Sequence, residues 1–232
     1  SADAVSQAFN YASKQDQLES IRDVLRRIVI GSMDTDTTDA LQKFSISSDF
    51  DSNGRGLICE LKGDILTIQG RWDDAEEEYD AATKHIGGNQ PSHELARLLS
   101  ARADIAVKRG AMEDALELHR NALKIQIEIR DAVGAARTYN NMGHIFRRRR
   151  DVRRALEVYG NVENLLEKEQ DPDLNDARIR LASAFIEMGE LDRAREHALF
   201  AYESTKDSNQ DFLHARSRPS LGGIMQRFQT MI

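Results

Sequence analysis

Gly70-Arg-Trp-Asp-Asp-Ala75, Gly110-Ala-Met-Glu-Asp-Ala115, Arg150-Asp-Val-Arg-Arg-Ala155 and Gly189-Glu-Leu-Asp-Arg-Ala194 are four versions of one turn. They start at residues 70, 110, 150 and 189, so they stand 40, 40 and 39 residues apart. A fixed period of this length marks stacked supersecondary units. Each turn follows an apolar-periodic helical stretch and precedes another, so the unit is an antiparallel helix pair. A small residue stands seven positions before each turn: Gly63, Ala103, Gly143 and Ala182. Ala75, Ala115, Ala155 and Ala194 each follow five positions after the first residue of the turn. Small residues at these places let two helix axes approach closely. Leu66, Phe146 and Phe185 then fill the buried side of the first helices, and Trp72, Val152 and Leu191 close the hairpins just after the turn. Ala82, Ala122 and Ala201 recur near the end of the second helix, with Val162 in the third unit. Tyr79 and Tyr159 share one register position, which His119 and Ala198 take in the other two units.

Small-x-x-aromatic, a turn, then Ala-x-x-x-Tyr-x-x-Ala resembles the tetratricopeptide repeat. Gly143-His-Ile-Phe146 and Ala75-Glu-Glu-Glu-Tyr79-Asp-Ala-Ala82 carry the likeness. The usual unit has 34 residues, so a period near 40 is similar to the long-helix variety of Pins-type adaptors, kinesin light chains and peptide-sensing bacterial regulators. Glu60-Leu-Lys-Gly-Asp64, Gly70-Arg-Trp72 and Asn140-Asn-Met-Gly-His144 also resemble helical-repeat sensor regions of large signal-transduction ATPases. The resemblance implies an all-α, right-handed superhelical solenoid of antiparallel helix pairs. The chain divides accordingly into a degenerate hairpin cap over residues 1–53, four pairs over 54–205 and a capping helix and tail over 206–232. In the tail, Leu221, Met225, Phe228 and Ile232 share one helical face, which caps the last repeat or occupies a groove.

Composition agrees with a folded helical chain: 40% hydrophobic, 31% charged and three prolines in 232 residues. A single cysteine, Cys59, excludes an internal disulfide and a multi-cysteine zinc site, which points to a reducing, cytoplasmic setting. No apolar run approaches the roughly 20 residues of a membrane span. The formal charge of −7 argues against bulk nucleic-acid binding. It averages opposite regions. Residues 54–95 carry four basic and nine acidic side chains, whereas 136–170 carry eight basic and five acidic ones. Self-association through these opposite ends, or through the tail, is a further expectation.

Catalysis finds no support. Phosphate-loop, dinucleotide and His-Glu-x-x-His motifs are absent, and the six histidines are dispersed. No cofactor or metal is expected. Recognition is expected instead, on the exposed faces of the first helices. Those stripes read Leu57, Glu60, Asp64 and Thr67 in the first unit, and Arg97, Ser100, Asp104 and Val107 in the second. They continue as Arg137, Asn140, His144 and Arg147 in the third, with Asn141 and Arg148 adjoining, and as Asp176, Ile179, Ser183 and Ile186 in the fourth, with Arg180 beside them. Two adjacent Asn residues are poor helix formers, and an amide can both donate to and accept from an extended peptide backbone. The family resemblance implies the same role for groove-facing Asn. Asn141 can equally bond a neighbouring helix. Arg147 to Arg150 form either a solvated edge or an anion-reading rim. The site assignment is therefore Asn140, Asn141 and His144 for polar contacts, Arg137, Arg147, Arg148, Arg97 and Arg180 for positive lining, and Asp104. The expected partner is a protein or peptide, acidic or carboxylate-bearing. The alternative is an effector-sensing or regulatory segment of a larger ATPase or transcription regulator.

Overall fold

Among the described residues, five turns with the same hydrogen bonding punctuate the chain. In the first, Arg71 N–H donates to Leu66 O at 2.9 Å and Gly70 N–H to Thr67 O at 3.3 Å. This is the closure that ends a helix on a residue in the left-handed region. It recurs from Ala111 to Ala106, Asp131 to Gln126, Asp151 to Phe146 and Glu190 to Phe185. Gly70, Gly110 and Gly189 supply the positive φ at three of these turns, but Arg130 (φ 60°) and Arg150 (φ 63°) supply it at the other two. A side chain there costs energy that glycine avoids.

The computed structural model describes residues 52–87, 90–169 and 174–207. The N-terminal cap expected over 1–53, apart from its last two residues, lies outside them, as do the Leu221–Ile232 stripe and all but the start of the capping segment. Among the described residues there are eight helices and no strand. They are α1 (Ser52–Ile68), α2 (Trp72–His85), α3 (His93–Lys108), α4 (Met112–Glu128), α5 (Ala132–Arg148), α6 (Val152–Glu169), α7 (Leu174–Met188) and α8 (Leu191–Asp207). The all-α helix-pair fold read from the period is the fold observed. Side chains begin several helices: Ser92 Oγ accepts from Leu95 N–H at 3.1 Å, and Asp131 Oδ1 from Gly134 N–H at 2.8 Å.

The chain forms two compact units, Ser1–Leu118 and His119–Ile232. In the first, α1 packs on α2 and α3 joins them. Its core gathers Cys59, Leu66, Ala75, Tyr79, Ala82, Leu98 and Ile105, with Trp72 against its edge. Burial, aided by nearby Glu78, pushes the Cys59 thiol up to about 11, so it stays protonated and inert. In the second unit α5 pairs with α6, α6 with α7 and α7 with α8. Its apolar contacts include Ala136, Val162, Leu166 and Ala177, and separately Ile179, Ala182, Ala198 and Ala201.

The small residues sit where close approach requires them. Ala75, Ala115, Ala155 and Ala194 are fully buried. A Cβ on Gly63 would lie under 3 Å from the Tyr79 ring, and one on Gly143 equally close to the Tyr159 ring. Where the sequence has a smaller group at the tyrosine position, His119 or Ala198, the partner position carries Ala103 or Ala182. Ring and small residue are 16 positions apart in every unit.

Candidate functional site

Equivalent polar residues on α1 and α5 meet different fates. In the first unit the stripe expected to be exposed is buried: Leu57, Glu60, Asp64 and Thr67 are all at most 9% exposed. Most of its polar atoms are matched internally, Asp64 Oδ2 being the one buried atom of the stripe without a hydrogen bond. Tyr79 Oη donates to Asp64 Oδ1 at 2.8 Å and lies 3.3 Å from Thr67 Oγ1. Burial beside Asp64 raises the Tyr79 hydroxyl far above its ordinary value, so it remains a donor. Arg97 on α3 grips Glu60 with two bonds, Nη2 to Oε2 at 2.5 Å and Nε to Oε1. Lys62 pairs with Glu78. Arg97, expected as groove lining, is thus tied to a buried carboxylate, while Asp104 on the same helix is exposed.

Eighty residues on, Asn140, His144, Arg147 and Tyr159 occupy the places of Glu60, Asp64, Thr67 and Tyr79. Three of these four hold a buried polar atom without a hydrogen-bond partner: Asn140 Oδ1, Arg147 Nε and Tyr159 Oη. The Tyr159 hydroxyl lies close to the Arg147 guanidinium but outside hydrogen-bond geometry. Its ring meets the His144 ring edge-on, centroids 6.2 Å apart. Arg180 on α7 brings a second guanidinium, whose Nη1 donates to His144 Nε2 and whose Nη2 donates to Asp176 Oδ2 at 3.2 Å. Arg180 Nε, too, is buried without a partner. Arg147 Nη2 pairs with Glu187, also on α7.

The protonation state of His144 follows from these neighbours. Partial burial, then the charges of Arg180 and Arg147, push it down to about 4. A ring nitrogen that accepts from a guanidinium must also lack a proton, so geometry and electrostatics agree on a neutral imidazole at pH 7. His144, Arg147, Arg148, Arg150 and Glu187 line an open depression of about 310 Å³.

Of the expected site residues, His144, Arg147, Arg148 and Arg180 are therefore gathered at one place, with Asn140 one helical turn before His144 on α5. Asn141 is half-buried and Arg137 exposed on the same helix. Arg97 and Asp104 belong to the first unit. In the fourth repeat Ile179, expected to be exposed, is buried with Ala182, Ala198 and Ala201, because an isoleucine on that stripe has an apolar cluster to join. The site assignment left out Glu187, Tyr159 and Arg150, the last of which stood in the arginine run read as either a solvated edge or an anion-reading rim. The period itself points to Glu187, since Arg147 and Glu187 stand one repeat apart, 40 residues, and Arg97 reaches Glu60 over a similar 37. Among the described residues no group of three His, Cys, Asp or Glu side chains is placed to hold a metal, and no helix is long and apolar enough to cross a membrane.

Residues 94–168 match the family model of the tetratricopeptide repeat. No curated protein matches the chain. Among solved structures, BtubC (BKLC) from P. vanneervenii superposes with a TM-score of 0.70 at 21% identity, over 90% of this chain and 91% of that one. A putative kinesin light chain from Podospora anserina with nearly identical TPR-like repeats gives 0.63 at 14%, over 84% and 98%. Aspartyl phosphate phosphatase F from Bacillus subtilis gives 0.69 at 12%, over 96% and 64%. At these identities the likeness is one of fold, and the fold is that of a tetratricopeptide-type helical repeat.

Proposed function

We propose that this tetratricopeptide-type repeat protein is a non-catalytic recognition module whose third and fourth repeats read an acidic or carboxylate-bearing segment of a partner protein. The observation that carries this reading is the row of unpartnered polar atoms, Asn140 Oδ1, Arg147 Nε, Tyr159 Oη and Arg180 Nε, in the neighbourhood of an arginine-lined depression. Buried polar groups are normally satisfied, and an unmatched group carries a desolvation cost that a ligand can relieve. Here they come with guanidinium groups suited to oxyanions. An Asn amide beside them offers a donor and an acceptor to peptide backbone. Arg137 and Asn141 extend the same helix face and would contact flanking residues of the bound segment.

The test is direct. A partner captured on the intact protein is purified and its affinity measured against Asn140→Ala and Arg147→Ala. Each substitution should weaken binding about 10- to 100-fold, the effect of losing a hydrogen bond to a charged group. Binding should also weaken as salt rises from 50 to 500 mM, since the charges are partly exposed. Unchanged affinity in both variants would remove the assignment of this face.

A further inference from the structure

The depression holds more positive charge than a single carboxylate would use. Its lining has three arginines, Arg147, Arg148 and Arg150, against one carboxylate, Glu187, and His144 is neutral. The local balance is two positive charges. Glu187 engages Arg147 alone, and neither Arg148 nor Arg150 has an ion pair or side-chain hydrogen bond among the described residues. Arg150 is there at a conformational cost. It holds φ at 63° in the turn position where the other three helix pairs place Gly70, Gly110 and Gly189. Arg130 holds the same region at another turn, and what distinguishes Arg150 is that its side chain lines the depression.

A carboxylate would neutralise half of this charge and reach two donors. A phosphate monoester carries close to two negative charges at neutral pH and three acceptor oxygens. It matches the balance, and its oxygens can take Arg147 Nε, still unpartnered, together with Arg148 and Arg150. The space, about 310 Å³, admits the phosphate with the side chain that bears it. A phosphodiester of nucleic acid fits less well. It offers one charge per linkage, and the aromatic rings nearby, Phe146 and Tyr159, are buried and give bases no platform.

We infer that the depression between His144, Arg147, Arg148, Arg150 and Glu187 is a phosphate-recognition pocket for a phosphorylated side chain on the bound peptide. This deepens the reading above and rests on it.

The experiment uses the full chain and four probes at constant ionic strength and pH 7.5. They are a degenerate peptide pool centred on phosphoserine, the same pool with serine, a third with glutamate, and inorganic phosphate. A single-stranded oligonucleotide serves as competitor. Binding is read by anisotropy and by the Nε–H resonances of the arginines. The phosphoserine pool should bind at least 10-fold more tightly than the glutamate pool and than inorganic phosphate. Arg150→Gly, which suits the turn, and Arg148→Gln should each cut that preference to below threefold, weakening the phosphoserine pool at least threefold more than the glutamate pool. Equal binding of the phosphoserine and glutamate pools, both lost in Arg147→Ala, would overturn the phosphate pocket and keep acidic-peptide recognition. If no pool binds and the Asn140 and Arg147 variants retain the captured partner, both readings fall. Inorganic phosphate equalling the peptide, or the oligonucleotide displacing it at lower concentration, would also overturn the inference, in favour of free phosphate or nucleic acid.

Discussion

The pair α1–α2 and the pair α5–α6 share a register offset by 80 residues, a glycine under a tyrosine ring and the same turn closure, yet their polar faces are opposites. In α1–α2 the tyrosine hydroxyl has Asp64 and Thr67, and Glu60 has Arg97. In α5–α6 the corresponding places hold His144, Arg147 and Asn140, and the tyrosine hydroxyl has no partner. The turn closure and the glycine–tyrosine contact recur in both. Exchanging two carboxylates and a hydroxyl for an amide, a neutral ring and a guanidinium turns a mostly matched face into one with more bonds left to make. The difference teaches that, in a repeat array, function is written at positions that packing leaves free.

The comparison can be sharpened first at the tyrosine position of a third pair. His119 is fully buried with both ring nitrogens unpartnered, and burial pushes it down to about 4. The unfolded chain takes up the proton near pH 6.5 while the folded chain refuses it until about 4. Stability is therefore full above pH 6.5 and falls as pH drops through that window. At about 1.4 kcal/mol per pH unit, the loss attributable to His119 approaches 3 kcal/mol. Urea unfolding of wild type and His119→Leu between pH 7 and 4 isolates it; parallel curves would refute the account.

Removing a carboxylate partner separates the two faces next. Glu60→Ala removes the buried carboxylate that Arg97 grips with two bonds and should cost about 3 kcal/mol. Glu187→Ala, at the more exposed Arg147 pair, should cost less than about 1 kcal/mol, while raising affinity for the acidic partner because it frees a guanidinium. Similar stability losses at both places would break the distinction. Tyrosine hydroxyls give a finer contrast. Tyr79→Phe leaves Asp64 short of a donor and should destabilise by about 1.5 kcal/mol, whereas Tyr159→Phe removes an unmatched group and should be neutral or slightly stabilising. The smallest effect is at the turns. Arg150→Gly should stabilise the protein by about 1 kcal/mol, relieving positive φ, while weakening the bound ligand.

Much of this was legible from the period. Turn starts, small residues and the burial of Ala75, Ala115, Ala155 and Ala194 follow from one register, because helix packing at fixed spacing admits few residue types. The exposed stripe was readable only in part. Periodicity predicts which face a residue occupies, but not that Arg97 will reach back 37 positions to Glu60, or that Asp64 will be claimed by Tyr79. Those pairings depend on charge and reach across helices. Glu187 was missed for the same reason, although its distance of one repeat from Arg147 is a usable signal. Arg150 reads in sequence as one of a charged run. Its left-handed backbone, visible only in the fold, sets it apart.

In the two pairs where a tyrosine ring lies over a glycine, ring and glycine fall 16 positions apart, inside a single repeat. Gly63 with Tyr79 and Gly143 with Tyr159 each travel together within one stretch of chain. Duplicating, deleting or exchanging a stretch that spans both therefore carries its own steric match with it. Recombination cut between repeats preserves every such pair, while a cut at a turn separates them, setting a bulky ring against the wrong partner. Such an array can lengthen by copying whole units and then diversify its polar face one substitution at a time.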